Sequence, residues 1–215
     1  MSKIFHRYRA LKSHKVFYLQ LATGLLLMCL ALFFNNYANN YTSLHSGATV
    51  NDIILDNVPT VNVELIFVEG MLGLIVFVIF LSLHRPARIP FILKTCALFI
   101  ATRAFFFILT HLGVPANMLE LHPTNFLERV IAGSGAGLFF SGHTGFPFLW
   151  AMIFWENLRL RIAFFIASAF FGIVVLLGHL HYSIDVFSSV FIAYGVYHIA
   201  IRLFKKDFRL FEESL

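Results

Sequence analysis

Residues 162–204 read IAFFIASAFFGIVVLLGHLHYSIDVFSSVFIAYGVYHIAIRLF, and the break in the middle decides how the chain is organised. On either side of Gly178-His179-Leu180-His181-Tyr182-Ser183-Ile184-Asp185 lies a window of about 20 mostly apolar residues, the length an α-helix needs to cross a bilayer. Two such helices joined by a short polar turn run antiparallel, which puts the turn at a membrane boundary. Two histidines and a carboxylate are costly to place there, and ionisable residues in that setting mark a site. About forty residues earlier a second polar interruption, Ser141-Gly142-His143-Thr144, breaks equally apolar sequence.

Working outward, six windows fit a membrane span: 16–34, 62–83, 91–112, 139–155, 162–179 and 184–204. The first follows a basic tail as a signal peptide would, but it is long and runs into Asn35-Asn36-Tyr37 without a small-residue cleavage site, so it reads as a retained anchor. Pro147, early in the fourth window, is tolerated near a helix start, where the N–H groups lack intrahelical partners. Composition agrees with a membrane protein. Apolar residues make up 59% and charged residues 13% of 215 positions, where a soluble domain carries about 25% charge. The expected fold is all-α and polytopic, a single integral membrane domain over residues 1–215 with six transmembrane helices. Cys29 and Cys96 both fall within apolar runs, so no stabilising disulfide is expected.

Charge orients the bundle. Lys3, Arg7, Arg9, Lys12, Lys15, Arg85, Arg88, Lys94, Arg159, Arg161, Arg202, Lys205, Lys206 and Arg209 fall on one side of the expected spans; of the 16 cations only Arg103 and Arg129 do not. By the positive-inside rule both N- and C-termini are cytoplasmic. The net charge of +5 then reflects topology and contact with anionic lipids at the cytoplasmic face, not nucleic-acid binding. Both polar interruptions consequently face the extracytoplasmic or lumenal side, as do the Asn-rich loop 35–61 and the segment 113–138. The latter mixes Pro115, Met118, Leu119, Leu121, Phe126 and Leu127 with polar residues, a pattern suited to an interfacial or partly re-entrant element covering a site. Self-association into a homo-oligomer is compatible with this reading.

The two interruptions carry chemistry. Residues four apart share a helix face, so Asp185 can accept a proton from one His181 nitrogen and leave the other as a lone pair for nucleophilic or basic work. The plainer alternative is an i,i+4 pair satisfying two polar groups at a helix start. His143 follows Ser141-Gly142 where a helix N-terminus favours an anion. Gly142 permits close approach of a phosphate, the Ser141 and Thr144 hydroxyls can donate to it, and His143 can protonate a leaving oxygen. Its plainer alternative is Ser141 as a simple N-cap with His143 facing interfacial water. His179, two residues from His181, points elsewhere on a regular helix. Were the helix broken there, His179, His181 and Asp185 or His143 would form a zinc donor set. The mechanism itself requires no metal and no cofactor.

Ser141-Gly142-His143 together with His181-x-x-x-Asp185 resembles the type 2 phosphatidic acid phosphatase superfamily. Leu138-Phe139-Phe140-Ser141-Gly142-His143-Thr144 and His179-Leu180-His181-Tyr182-Ser183-Ile184-Asp185-Val186 look most like its sphingomyelin synthase branch. The likeness runs from about Thr102-Arg103 to Arg202. It implies a phosphohistidine mechanism on a membrane lipid substrate, with His181 as nucleophile, Asp185 as its orienter, and His143 as general acid and then base. Departures from the pattern matter. The superfamily's phosphatases carry Lys-x6-Arg-Pro before the Ser-Gly-His segment, whereas here Lys94 and Arg103 are nine apart and Ala104 follows. They also carry an Arg six positions before the nucleophilic His, where this chain has Val175. With only Arg103 and Arg129 near the outer face to bind phosphate, a monoanionic phosphodiester is better matched than a dianionic monoester. The expected substrate is a phospholipid headgroup diester, with a lipid phosphate monoester as the alternative.

Glu69 and Arg103 should each lie roughly 10–14 Å below the outer ends of their spans. There they are expected to contact each other as a buried pair or to flank the headgroup pocket, the plainer alternative being that each snorkels alone. Two other classes compete. Gly133-Ser134-Gly135 with a later His181 superficially fits an intramembrane serine protease, but Asp185 is then superfluous. A non-catalytic transporter would line a route across the midplane, whereas these polar groups gather on one face.

Overall fold

The computed structural model describes residues 15–133 and 137–212, and all regular structure among them is helical. The helices are α1 (Lys15–Leu44), α2 (Met71–His84), α3 (Ile89–Leu109), α4 (Phe126–Ala132), α5 (Gly142–Ile153), α6 (Leu158–Leu177), α7 (Ser183–Leu203) and α8 (Lys205–Glu212). A π-helical turn, Ile66–Gly70, leads into α2. Five helical stretches are long and apolar enough to cross a membrane: Lys15–Leu44, Ile66–His84, Pro86–Leu109, Leu158–Leu177 and Ser183–Leu203. The basic tail before Lys15, and Ser134 and Gly135 of the protease-like motif, lie outside the described residues.

The expected fourth span, 139–155, is the correction. Only Gly142–Ile153 is α-helical, about 18 Å at 1.5 Å per residue and well short of a hydrocarbon core. Helix α5 starts late because Ser141 is its N-cap, in extended geometry, with its hydroxyl accepting from the Thr144 N–H. The Ser141 N–H is itself held by the Asp185 carbonyl at 3.0 Å, which anchors this end of α5 to the first turn of α7. Helix α1 errs the other way. The Asn-rich stretch expected as loop 35–61 stays helical to Leu44, because no Gly or Pro interrupts it and Thr42 fastens it to the Phe107 carbonyl of α3 at 3.1 Å.

Helix α1 packs along α3, and α5 packs against both α6 and α7. Phe91, Phe99, Phe140, Leu149 and Phe164 are fully buried between them. In lipid this packing rests on close van der Waals fit, since tails outside are as apolar as the core. Gly145 shows the fit: a Cβ there would come within 2.5 Å of the Phe99 ring, so glycine is what lets α5 approach α3.

The loops at the site end are laced together. Val61 N–H donates to Leu177 O, Leu119 N–H to Gly178 O, and Gly47 and Gly113 N–H to His111 O and Ala48 O. Tyr182, 1% exposed, donates its hydroxyl to Gly113 O at 2.8 Å and accepts from Val50 N–H. Met118, Leu119 and Leu121 pack against the Val63, Phe67 and Val174 cluster, while Phe126, Leu127 and Val130 stay exposed, as suits an interfacial element.

Candidate active site

One cavity of ≈ 430 Å³ gathers the two histidines that lie 38 residues apart in sequence. Gly142, His143, Leu180 and His181 line it, as do Arg103, Asn35, Asn39 and Glu120. Apolar walls descend along Leu32 of α1, Met71 and Ile75 of α2, Ile100 of α3 and Phe146 of α5. His143 lies beside Phe171 of α6, about 9 Å along that helix from its end at Leu177.

His181 and Asp185 do meet, but not along a helix face. Helix α7 begins at Ser183, so His181 sits in the turn before it. Asp185, in the first turn, reaches back over the N-cap. Its Oδ2 accepts the Tyr182 N–H at 3.0 Å and faces His181 Nδ1 at 3.4 Å. This half of a capping box fixes the carboxylate, which is fully buried, and so fixes the edge of the imidazole it faces. Its other oxygen, Oδ1, has no hydrogen-bond partner among the described residues. His143 is 6% exposed, stacks on Phe67, and has an Nε2 atom with no hydrogen-bond partner among the described residues. A buried ring nitrogen without a partner in a cavity wall is chemically available.

Several expected contributors are placed differently. The Ser141 and Thr144 hydroxyls bond each other at 3.4 Å and cap α5. Neither residue lines the cavity, so their role in this geometry is to set the start of the helix. Gly142 lines the cavity, next to the Arg103 guanidinium. Arg129 is exposed on α4 and is not among the cavity residues. The expected Glu69–Arg103 pair does not form. Glu69 is exposed on the π-helical turn, whereas Arg103 donates through Nε to Phe140 O at 2.8 Å and through Nη2 to Gly137 O at 3.2 Å, with its guanidinium over the Phe107 ring. Two carbonyls on the loop before α5 thus hold a half-buried cation. Gly137 is required for this, since a Cβ there would overlap Asn39 and Phe107.

His179 leaves the site altogether. At φ 51°, in the left-handed region, it turns its ring nitrogens to the Ala116 and Val58 carbonyls, each 2.9 Å away. The helix is broken there, yet the zinc donor set does not assemble: among the described residues no group of three or more His, Cys, Asp or Glu side chains gathers as a metal site.

Asp52, Phe67, Asn39 and Glu120 went unnoticed in the sequence. Asp52 is the most consequential for the architecture. Its Oδ2 accepts the Ser183 N–H at 2.7 Å, and Oδ1 accepts from Ile54 and Leu55. It therefore caps, from a distant loop, the helix that carries Asp185. Burial by itself pushes this carboxyl up; hydrogen bonds from Ser183, Leu55 and Ile54 outweigh it and hold the group below the ordinary carboxylate value. A depressed carboxyl contributes stability that is present above its unfolded value, near 3.9, and lost as pH falls through the folded one. Thermal melts in detergent should lose stability below about pH 4 more steeply in the parent than in Asp52→Asn. Parallel acid limbs would contradict this role.

Residues 136–201 match the family model described as PAP2 superfamily C-terminal. The matched stretch contains Ser141, Gly142, His143, His181 and Asp185. No curated protein and no solved structure matches the chain. The family match supports lipid phosphatase or phosphotransferase chemistry in general for this segment and, with five long apolar helices, agrees with an integral membrane protein.

Proposed function

We propose that the chain is a membrane enzyme of the type 2 phosphatidic acid phosphatase superfamily that cleaves or transfers a phospholipid headgroup phosphodiester through a phosphohistidine on His181. The observation that carries the reading is the convergence of His143 and His181 in one cavity, with Asp185 on the Nδ1 side of His181. In the first step His181 Nε2 attacks phosphorus. A P–N bond forms, the P–O bond to the leaving alcohol breaks, and the proton on His143 Nε2 passes to the departing oxygen. Asp185 stabilises the His181 ring as positive charge develops on it. In the second step the acceptor hydroxyl gives its proton to His143, its oxygen attacks phosphorus, and the P–N bond breaks. Water as acceptor makes a hydrolase. A lipid alcohol makes a headgroup transferase of the sphingomyelin synthase kind.

Two features favour a lipid diester. The apolar walls formed by Leu32, Met71, Ile75, Ile100 and Phe146 suit an acyl-bearing substrate. Arg103 is the one Lys or Arg side chain among the described residues lining the cavity and already commits Nε and Nη2 donors to backbone carbonyls, so a single cation meets the phosphate, which suits a monoanion better than a dianion. In this reading the cavity opens to the extracytoplasmic or lumenal side, with cations at the opposite end meeting anionic lipids. The test is a lipid panel given to the purified protein, with and without a lipid alcohol, read by mass spectrometry. Diester lipids should turn over with loss or exchange of the headgroup. Phosphate release from phosphatidic acid alone, with diesters untouched, would instead establish the monoester phosphatase.

A further inference from the structure

We propose that Phe67 is a positioning residue for His143, holding the imidazole edge-on to the cavity so that Nε2 meets the leaving oxygen. This rests on the general-acid role assigned to His143 above. The two rings are nearly parallel, 19° apart, with centroids separated by 3.7 Å. Both residues are buried, at 3% and 6% exposure. Phe171 is a second aromatic neighbour of the imidazole, at 6.0 Å and 49°.

The backbone explains why Phe67 is available. The π-helical turn Ile66–Gly70 carries an extra residue relative to an α-helical turn. Consecutive residues Phe67 and Val68 are consequently both buried, with Met71 following them into the core. Phe67 is also wedged among Val63, Val174, Val175, Leu180 and Val186, so it is fixed by the same α6–α7 corner that presents His181. Its placement is thereby tied to both halves of the reaction. The charged or titratable side chains sharing the cavity with His143 are Arg103 and His181, with Asp185 behind His181, and Glu120 at the loop side. None of them bonds Nε2. Ring stacking, not a side-chain partner at Nε2, sets the plane of the acid.

A positioning role predicts a dependence on the leaving group that packing alone does not. An alkyl alcohol needs protonation as it departs; a nitrophenol does not. Phe67→Leu, which removes the flat ring but keeps much of its bulk, should slow the first step, read as single-turnover release of the leaving alcohol from an alkyl phosphodiester lipid, about 30-fold. The matching nitrophenyl diester should lose less than about 3-fold. Phe67→Tyr should restore near-parent rates on both, and Phe67→Met, as a second non-aromatic replacement, should repeat the Leu result. Equal losses on both substrates in Leu and Met, or no loss on either, would overturn the inference. His143→Ala separates the two levels of the argument. If it shows the same leaving-group selectivity while Phe67→Leu does not, only the role of Phe67 fails; if it shows none, the general-acid assignment fails as well.

Discussion

Replacing His181 with alanine is expected to lower turnover of the preferred diester lipid by about 10⁵-fold, and Asp185→Asn by about 10³–10⁴-fold. The asymmetry follows from the geometry. His181 supplies the lone pair that makes the new P–N bond, so its loss removes the covalent route. Asp185 only holds the ring: Oδ2 faces Nδ1 at 3.4 Å, a distance that can tighten when substrate is bound. Asparagine keeps an oxygen for the Tyr182 N–H but stabilises no positive charge on the imidazole. The diagnostic observation is acid-labile phosphate on the protein. It should be absent from His181→Ala and present, at a slowed rate of formation, in Asp185→Asn. His143→Ala given a nitrophenyl diester should accumulate it, because the first step then needs no acid while the second still lacks its base. Phosphate on any other residue, or His181→Ala activity within about tenfold of the parent, would remove His181 from the nucleophile's role.

The local grammar of this chain was readable, and the parts that were not are those made by distant segments. Five apolar windows became long helices with ends shifted by a few residues, since apolar length and flanking charge act locally. The windows failed at α5. Its start is set by Ser141 and by a hydrogen bond to Asp185 O from another helix, and hydropathy does not register that. They also fail after Phe34, where a run of polar residues reads as a helix end but the helix continues ten residues further, to Leu44, with Asn35 and Asn39 lining the cavity. His143, His181 and Asp185 were visible because motif spacing is local. Phe67 was not, because one phenylalanine among 27 carries no signal until a π-helical turn sets it against His143. Arg103 was expected to need a carboxylate, and carbonyls served instead. Asp52 was hidden for the same reason: it acts across 131 residues on the N–H of Ser183.

At the opposite end of the bundle, Lys94→Met is expected to destabilise the protein by about 3–5 kcal/mol, the range for removing one partner of a buried ion pair. Lys94 and Asp207 are 5% and 3% exposed. The ammonium reaches both carboxylate oxygens, at 2.8 and 2.9 Å, donates to Gln20 Oε1, and lies 5.8 Å from the Phe204 ring centroid. One side chain thus joins α1, α3 and the amphipathic helix α8. Counting charges along the chain had made Lys94 an ordinary topological cation; here it is the clasp of the C-terminal helix. Methionine matches the aliphatic stem but leaves the Asp207 carboxylate and the Gln20 amide without their donor. For a chain of this length the loss corresponds to a fall in melting temperature of roughly 6–20 °C. Asp207→Asn should fall less, because the amide can still accept from the ammonium. The double variant Lys94→Met/Asp207→Leu should recover much of the single-variant loss, since it leaves no uncompensated charge. Melts of Lys94→Met, Asp207→Leu and the double variant beside the parent, in one detergent, form the cycle. If Lys94→Met and Asp207→Leu were simply additive in the double variant, the pair would not be acting as a unit.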